Sequence, residues 1–374
     1  MAIDPDVQVL LDEINAKIDR SIPGAIGDGV ADDTAPLQSA VDELGWGDLW
    51  EIPIGKYRIT APIEFGGLRG VRIVGQGGQS AYDGGYMGAS IVCEGDGGFW
   101  FNTGNPLAHE GPTIENVNFI DRSPTGDAVL LRIEDMNFWT TRNCTFRVKD
   151  DSVLNNGGVG IQVVHDPLMD SSWWMVDQCR FIGLNRGIDC YRSFGGVVQG
   201  GTFVSHPGQT GIYLSAVSFS NRIIGVKFDG PGRTPGGTGI HLDGAQFTHM
   251  IGNVFEGLTT GVDIDGEGWQ NSVIGGSFFN CPVGISIEPG IWGNAIIAPI
   301  FNGCPVAIDN FKDNNVFQGF GQVMKAARFG QPFTNTTRAA ANTLAPGSII
   351  YNSDTKLFNF SDGAGWHQIA EVAE

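Results

Sequence analysis

The sequence is poor in charged residues, and above all in basic ones. Only 17% of its 374 residues are charged, and 22 lysines and arginines stand against 41 aspartates and glutamates, a formal net charge of −19. Phosphates of nucleic acids and anionic lipid surfaces repel such a chain, so we expect neither as a partner. Long hydrophobic runs are also missing. No stretch approaches the roughly 20 apolar residues of a membrane-spanning helix, so we expect no membrane insertion.

Cysteine spacings typical of zinc sites and an N-terminal signal peptide are missing as well. None of the six cysteines stands in a Cys-x-x-Cys or Cys/His spacing that would predict zinc, and we expect no cofactor. Several occupy fixed positions in the repeat described below, which predicts small buried side chains, although a Cys281–Cys304 disulfide stays open. The acidic first eleven residues lack the basic and apolar regions of a signal peptide, so we expect no conventional leader.

Glycine is abundant, with 56 residues, and much of it belongs to a repeated phrase. Gly, a β-branched residue, a variable residue and another apolar residue recur every 22 to 28 residues between Gly160 and Asp309. Such a period predicts a solenoid, in which each repeat buries its apolar face only against its neighbours. A phenylalanine recurs in step, at Phe146, Phe181, Phe203, Phe228, Phe255, Phe278, Phe301 and Phe320.

Each repeat is made of strands. Alternating apolar residues broken by Gly, Asn and Pro predict short β-strands with tight turns, and no repeat leaves room for a helix. We therefore predict an all-β fold, a right-handed parallel β-helix, in which like residues stack about 4.8 Å apart. The phenylalanines then form an internal aromatic stack. Asn221, Asn271 and Asn294 form a ladder at a bend, where Asn tolerates the left-handed conformation.

Two short helices are predicted before the solenoid. In residues 4–22, apolar residues follow the spacing of a coiled-coil seam, and an isoleucine-rich seam of about two heptads favours a trimer. A single helix docked on the domain is the alternative. The second helix follows Gly-Asp-Gly-x-x-Asp-Asp-Thr at residues 27–34 and covers exposed sheet edges at the end of the solenoid. We assign Asp33 or Thr34 to its N-cap and Gly45 to its end.

The phrase at residues 27–34, with Gln38, Ala40 and Pro-x-Gly-x-Tyr at residues 53–57, resembles the opening signature of pectate-lyase-like β-helix proteins. That family includes bacteriophage tailspikes and many bacterial polysaccharide-degrading enzymes. The resemblance covers residues 24 to about 320. It implies the architecture but not the chemistry, because the active sites of the family differ from member to member.

The sequence repeat ends after residue 321. Residues 322–345 are rich in Ala, Thr and Asn and predict a linker, and residues 346–374 predict a small β-meander with turns at Ser353-Asp354 and Asp362-Gly363. This meander resembles a short module near the ends of phage tail and fibre proteins. We therefore divide the chain into a helical stalk (1–23), the β-helix with its capping helix (24–321), the linker and the C-terminal module.

The repeat also predicts which residues face outward. In each phrase the branched and the final apolar residues point inward, so the variable residue and the residue after the phrase point outward. One outward column holds Gln162, Asp189, Tyr213, His241, Asp263, Ser286 and Asp309, and the next holds Val164, Tyr191, Ser215, Asp243, Asp265 and Glu288.

Carboxylates dominate these columns. Neighbouring coils bring Asp243 and Asp265 near the roughly 5–5.5 Å of a retaining glycosidase pair, and Asp243 and Glu288 near the roughly 6.5–9.5 Å of an inverting pair. Repulsion between stacked carboxylates predicts raised pKa values for some of them. Our catalytic candidates are Asp243, Asp265 and Glu288, and our carbohydrate-binding candidates are Asp189, Tyr191, Tyr213, His241 and Asp263.

Other interpretations of this face stay open. It can be a passive surface, a subunit interface or a calcium site built from stacked aspartates. Trp139, Trp173 and Trp174 either stack on sugar rings or fill a sheet interface. A hydrolase is favoured over a lyase, because lyases of this fold pair basic residues with calcium-binding acids, and this face shows no Lys or Arg.

The sequence thus predicts a phage virion appendage, a homotrimeric tailspike or tail fibre that binds a host cell-surface polysaccharide and, in the sharper version, depolymerises it. The N-terminal helix and the C-terminal module would contact other virion proteins. The alternatives are a purely structural virion component, such as a head fibre or tail decoration, and a cellular polysaccharide-degrading enzyme. The glycan and the host do not follow from the sequence.

Overall fold

The protein is a right-handed parallel β-helix, as predicted. The computed structural model describes residues 22–77, 88–102, 110–148, 157–164, 171–215, 218–232, 235–266, 268–288, 291–309, 315–318, 349–352, 357–361 and 366–368. Each coil adds one strand to each of three parallel sheets, here called A, B and C. A typical coil runs from sheet B (Met175–Asp177) through sheet A (Arg180–Ile182) to sheet C (Leu184–Cys190).

Sheets A and B have short strands, and sheet C has the longest ones. Sheet A contains Asp28–Asp32, Gly55–Ile59, Ala89–Cys93, Asn118–Asp121, Thr145–Val148, Arg180–Ile182, Thr202–Val204, Lys227–Asp229, Val254–Glu256, Ser277–Phe279 and Ile300–Asn302. Sheet B contains Leu49–Ile52, Arg72–Gly75, Thr113–Glu115, Thr140–Arg142, Met175–Asp177, Val197–Gln199, Arg222–Ile224, His249–Ile251, Ser272–Ile274, Ala295–Ile297 and Val316–Gln318. Sheet C contains Ile63–Glu64, Gly97–Asn102, Val129–Glu134, Gly157–Val164, Leu184–Cys190, Thr210–Leu214, Gly236–Asp243, Leu258–Asp265, Val283–Ile287 and Val306–Asp309.

The core is held by the repeated phenylalanines. Their rings stack along the axis with centroids 4.4 to 5.0 Å apart, from Phe119 to Phe301. Phe119 extends the predicted stack by one coil, whereas Phe320 lies outside the described residues. The glycine of each phrase lies against a ring: a Cβ on Gly239 would approach Phe255 Cδ1 to 2.8 Å. The repeat is therefore a packing unit of one ring and one glycine.

The asparagine ladder is present, but the reason for it differs from the prediction. Asn271 Oδ1 accepts a hydrogen bond from the Thr248 amide at 2.9 Å, and Asn294 Oδ1 accepts one from the Asn271 amide at 2.8 Å. The left-handed residues are the ones just before the ladder, such as Ser220 (φ 57°) and Gln270 (φ 57°). The asparagines are needed for their side-chain oxygens, because these accept the hydrogen bonds of buried backbone N–H groups at this corner.

The capping helix spans Thr34–Asp42 and buries Leu37 and Val41, as the pattern predicts. Asp33 is the N-cap residue by position, but its carboxylate does not cap the helix. It accepts hydrogen bonds from the Ile26 and Gly27 amides at 2.7 and 3.1 Å, so it holds the preceding turn. Helix capping therefore does not account for this aspartate. Nor does Gly45 end the helix, because the C-cap residue is Glu43.

Several predictions concern other parts of the chain. Three antiparallel strands pair in the order of a β-meander: Ile349–Asn352, Leu357–Ser361 and Trp366–Gln368. The two predicted turns between them, the linker 322–345 and the stalk helix 4–22, except for Ile22, lie outside the described residues. The domain boundaries stay predictions. All six cysteines are free, so Cys281 and Cys304 are not joined. Among the described residues, no helix has the length and apolarity needed to cross a membrane.

Candidate functional site

The outer face of sheet C brings the predicted site residues into two columns. Direct strand pairing aligns Asp189, Tyr213, His241, Asp263, Ser286 and Asp309, and pairs Asp243 with Asp265 in the second column. Parallel pairing in register stacks outward side chains coil upon coil, because the side-chain period of a strand is two. Most of these residues are half-buried, whereas Tyr191 is 48% exposed and Ser215 is buried.

Tyr213 and Asp243 form the shortest polar contact of the site. The Tyr213 hydroxyl donates a hydrogen bond of 2.6 Å to Asp243 Oδ2. Burial, and then this bond and the charge of Asp243, raise the pKa of Tyr213 to about 12. The phenol therefore stays protonated and acts as a donor to the carboxylate.

His241 and Asp265 form a second pair, one coil further on. His241 Nε2 lies 2.9 Å from Asp265 Oδ2, and its ring and that of Tyr213 meet edge to face with centroids 5.1 Å apart. Burial raises the pKa of Asp265, the charges of Asp263 and Asp243 add to the rise, and His241 opposes it. The raised pKa agrees with the expectation from the sequence, although burial contributes more than repulsion. A carboxyl group of this kind is suited to donate a proton.

One oxygen of Asp265 has no hydrogen-bond partner in the part of the chain that the structure describes. Its Oδ1 is shielded from solvent, and the described protein groups offer it no hydrogen bond. A shielded, unpaired carboxylate oxygen is costly, which agrees with the direction of the pKa shift. Because Asp265 as a whole is about one-third exposed, a ligand can reach the side chain from the open side of the face.

An arginine on this face overturns the expectation that it lacks basic residues. Arg186 lies 3.0 Å from Asp189 Oδ2, and its guanidinium stands over the ring of Tyr213 at 3.8 Å from the centroid. The burial pattern of its strand shows why the sequence hid it. Gly187 and Ile188 are both buried, so the alternation slips by one position and Arg186 points outward. The ground for preferring a hydrolase over a lyase is therefore wrong.

Glu288 lies further along the same column. Its Oε2 accepts a hydrogen bond of 2.9 Å from the Gly266 amide, at the turn just after Asp265, and the side chain is exposed. Glu288 thus supports the backbone beside Asp265. Of the three catalytic candidates, Asp243 and Asp265 contact other side chains of the site, whereas Glu288 accepts a hydrogen bond from a backbone amide.

The tryptophan candidates separate into two kinds. Trp139 and Trp174 are buried and stacked on each other at 5.2 Å, so they fill the interior. Trp173 is 57% exposed and stacks on Phe138, which is 51% exposed, with ring centroids 5.2 Å apart. Only Trp173 of the three is therefore available to a ligand.

Three groups of the face could hold a cation. Ligand atoms of His241, Asp263 and Asp265 lie within 4.8 Å of one another. One imidazole nitrogen with two carboxylates suits a transition metal better than calcium, which takes six to eight oxygen ligands. The imidazole already engages Asp265, so metal binding would have to replace that contact.

Comparisons with known proteins show the fold. No protein-family model and no curated protein matches the sequence. The ORF18 protein of Geobacillus virus E2 is similar in structure, with 14% identity, a TM-score of 0.60, and coverage of 99% of this chain and 90% of that chain. PfbA, a surface adhesin of Streptococcus pneumoniae, has 13% identity and a TM-score of 0.57, with 93% and 97% covered. The A-module of the Azotobacter vinelandii mannuronan C-5 epimerase AlgE6 has 16% identity and a TM-score of 0.50, with 80% and 98% covered. The predicted parallel β-helix is thereby confirmed as a fold.

Proposed function

We propose that the chain is a phage virion appendage of the tailspike or tail fibre type, which binds a host cell-surface polysaccharide along the outer face of sheet C. The observation that carries the proposal is the line of donors and acceptors on this face. Arg186, Tyr213, His241 and the carboxylates beside them occupy consecutive coils, and most are half-buried, so a linear ligand meets a preformed row of polar groups.

The virion context is supported by two features. The protein of similar fold from Geobacillus virus E2 covers 99% of this chain. The three antiparallel strands after residue 348 suit the predicted resemblance to phage fibre ends. In this context the chain is a homotrimer, and its N-terminal helix and C-terminal module contact other virion proteins. We expect a solution mass of about three times 39.9 kDa, which falls when residues 1–22 are removed; a monomer with both versions would contradict the trimeric spike.

Cleavage of the polysaccharide is the sharper form of the proposal. Asp265 has the raised pKa of a general acid, and Asp243, which accepts a hydrogen bond from Tyr213, is the partner carboxylate for a base or nucleophile. Glu288 would position the turn beside them. We expect Asp265→Asn and Asp243→Asn each to abolish release of reducing ends from a bound polysaccharide, with Asp229→Asn on sheet A as the control.

A structural role without chemistry is the second candidate. Its support is that the charged groups already satisfy one another, as in the Arg186–Asp189 and His241–Asp265 pairs. The cleavage assay separates the two candidates. Retention of binding with no reducing ends from any tested glycan favours the structural or adhesive role, whereas loss of cleavage in Asp265→Asn with intact binding favours the enzyme.

A further inference from the structure

Three successive coils of sheet C carry an excess of negative charge on their outer face. Their strands, Gly236–Asp243, Leu258–Asp265 and Val283–Ile287, contain no lysine or arginine. The outward positions, together with the residue after the third strand, hold four carboxylates: Asp243, Asp263, Asp265 and Glu288. Of the ion pairs between described residues, the one that involves this group joins Asp265 to His241. A single imidazole does not balance four carboxylates.

Carboxylates at other outward positions of the solenoid lie beside a strong base. On sheet A, the Lys227 ammonium lies 2.9 Å from Asp229 and 3.3 Å from Glu256. On an earlier coil of sheet C, Arg186 lies 3.0 Å from Asp189. Among the described residues of the three later coils, no lysine or arginine takes this role. A ligand that carries positive charge would supply it.

Two shielded polar atoms on this part of the face are available to a ligand. Asp265 Oδ1 accepts no hydrogen bond from the described residues, and neither does the Ser215 hydroxyl have a partner there. Ser215 is only 8% exposed and stands one coil before Asp243 in the same outward column, since the preceding Leu214 pairs with Leu242. Shielded polar atoms without hydrogen bonds are costly, so a ligand that donates to them gains affinity.

The spacing of the acidic groups suits an ammonium group. Ligand atoms of His241, Asp263 and Asp265 lie within 4.8 Å of one another. Each N–H···O bond is about 2.9 Å long, so two acceptors of one ammonium can lie up to roughly 5.8 Å apart. An ammonium donates three hydrogen bonds and accepts none. It can therefore bind the free carboxylate oxygens while the contact between His241 and Asp265 Oδ2 stays in place, whereas a metal ion would have to replace that contact.

We propose that these coils bind a positively charged amino sugar, so that the polysaccharide recognised by sheet C carries free amino groups. The ammonium of the sugar lies among Asp243, Asp263 and Asp265, where its charge offsets theirs. Uronic acids and phosphate-bearing sugars are disfavoured, because their anions would meet carboxylates. This inference rests on the proposed binding of a glycan by sheet C and specifies the class of that glycan.

A panel of purified bacterial polysaccharides tests the inference when each amine-bearing member is paired with its own N-acetylated form. N-acetylation removes the positive charge of the sugar and leaves its linkages unchanged. We expect the immobilised wild-type protein, in buffer containing EDTA, to bind at least one amine-bearing member. N-acetylation of that member should weaken its binding by about tenfold or more, because the charge contact is lost.

A pair of variants locates the charge contact. Asp263→Asn removes one negative charge from the face and leaves the Tyr213–Asp243 and His241–Asp265 contacts in place. It should weaken binding of the amine-bearing polysaccharide by about tenfold, and binding of the N-acetylated form should change little. The matched control is Glu256→Gln on sheet A, which alters the net charge by the same amount and should bind both forms as the wild type does.

The outcomes separate this inference from the proposed function. A neutral or acidic polysaccharide whose binding is weakened by Tyr213→Ala, with no preference for amines, would overturn the inference and leave glycan binding by sheet C intact. No binding by any member of the panel would contradict both. Equal weakening by Glu256→Gln would indicate general attraction to an acidic protein, and binding of both forms only after addition of Ca²⁺ or Mn²⁺ would indicate that a metal ion balances the charge. Either result would overturn the inference.

Discussion

The substitution Gly239→Ala tests directly why each repeated phrase begins with a glycine. A Cβ at this position would lie 2.6 Å from the Gly261 carbonyl oxygen and 2.8 Å from Phe255 Cδ1. Neither can move easily, because Gly261 belongs to the next strand of sheet C and Phe255 is stacked between Phe228 and Phe278. Overpacking a core costs about 1–3 kcal/mol, and the lower chain entropy of Ala in the unfolded state offsets about 0.4–1 kcal/mol. We expect Gly239→Ala to lower the free energy of unfolding by about 1–2 kcal/mol.

The control is a glycine that the fold needs for a different reason. Gly252 has φ +63°, and an added Cβ there would meet no atom within 4 Å. Earlier coils place Asn116 and Asn143 at this same corner with φ 59° and 52°. Gly252→Asn should therefore change the free energy of unfolding by less than about 0.5 kcal/mol. Urea unfolding followed by far-UV circular dichroism gives both values. Equal effects, or a neutral Gly239→Ala, would refute the proposed packing of glycine against the ring.

Three further predictions concern the core, the ladder and the site. Phe228 is fully buried, with neighbouring rings at 5.0 Å on both sides. Phe228→Ala should lower the free energy of unfolding by about 3–5 kcal/mol, and replacement of the half-buried Phe279 by Ala should lower it by less than half of that, both measured by the same urea assay. Asn271→Ala leaves the buried amide of Thr248 without its acceptor and should cost about 1–3 kcal/mol, whereas an unchanged midpoint would contradict the ladder. Because burial raises the pKa of Asp265, the wild-type protein loses stability as pH rises through that pKa. Asp265→Asn should therefore melt higher at pH 7, with the gain vanishing below the ordinary aspartate value of 3.8; no pH dependence of the difference would refute the assignment.

Much of the fold is readable from the sequence because stacked coils repeat the same contacts. Where one ring packs on one glycine in every coil, the period appears directly in the sequence, as for Gly239 and Phe255. Phe119 was missed although it stands 27 residues before Phe146, a spacing found elsewhere in the repeat, because its coil lacks the full phrase. The rule that Asn adopts φ > 0 also misled, since the residue before each ladder asparagine takes that conformation.

The site was less predictable, because its side-chain contacts join neighbouring coils and also join one outward column to the other. Outward columns follow from alternation, but the Tyr213–Asp243 bond joins different columns of neighbouring coils, which alternation alone does not fix. The outward position of Arg186 could not be predicted from alternation, because the two residues after it, Gly187 and Ile188, both point inward and break the period of two. Asp33 illustrates the same limit: its type and position suggest a helix cap, yet its carboxylate serves the turn before it.

The most direct test of the account is binding of purified bacterial surface polysaccharides to the immobilised protein. The wild-type protein should bind at least one polysaccharide of a broad panel, and Arg186→Ala with Tyr213→Ala should weaken that binding by about tenfold or more, since both side chains lie on the outer face of sheet C. Lys227→Ala with Glu256→Ala on sheet A is the control and should bind as the wild type does. Undiminished binding by the sheet C variant, or binding lost equally in the control, would contradict the assignment of this face to the glycan.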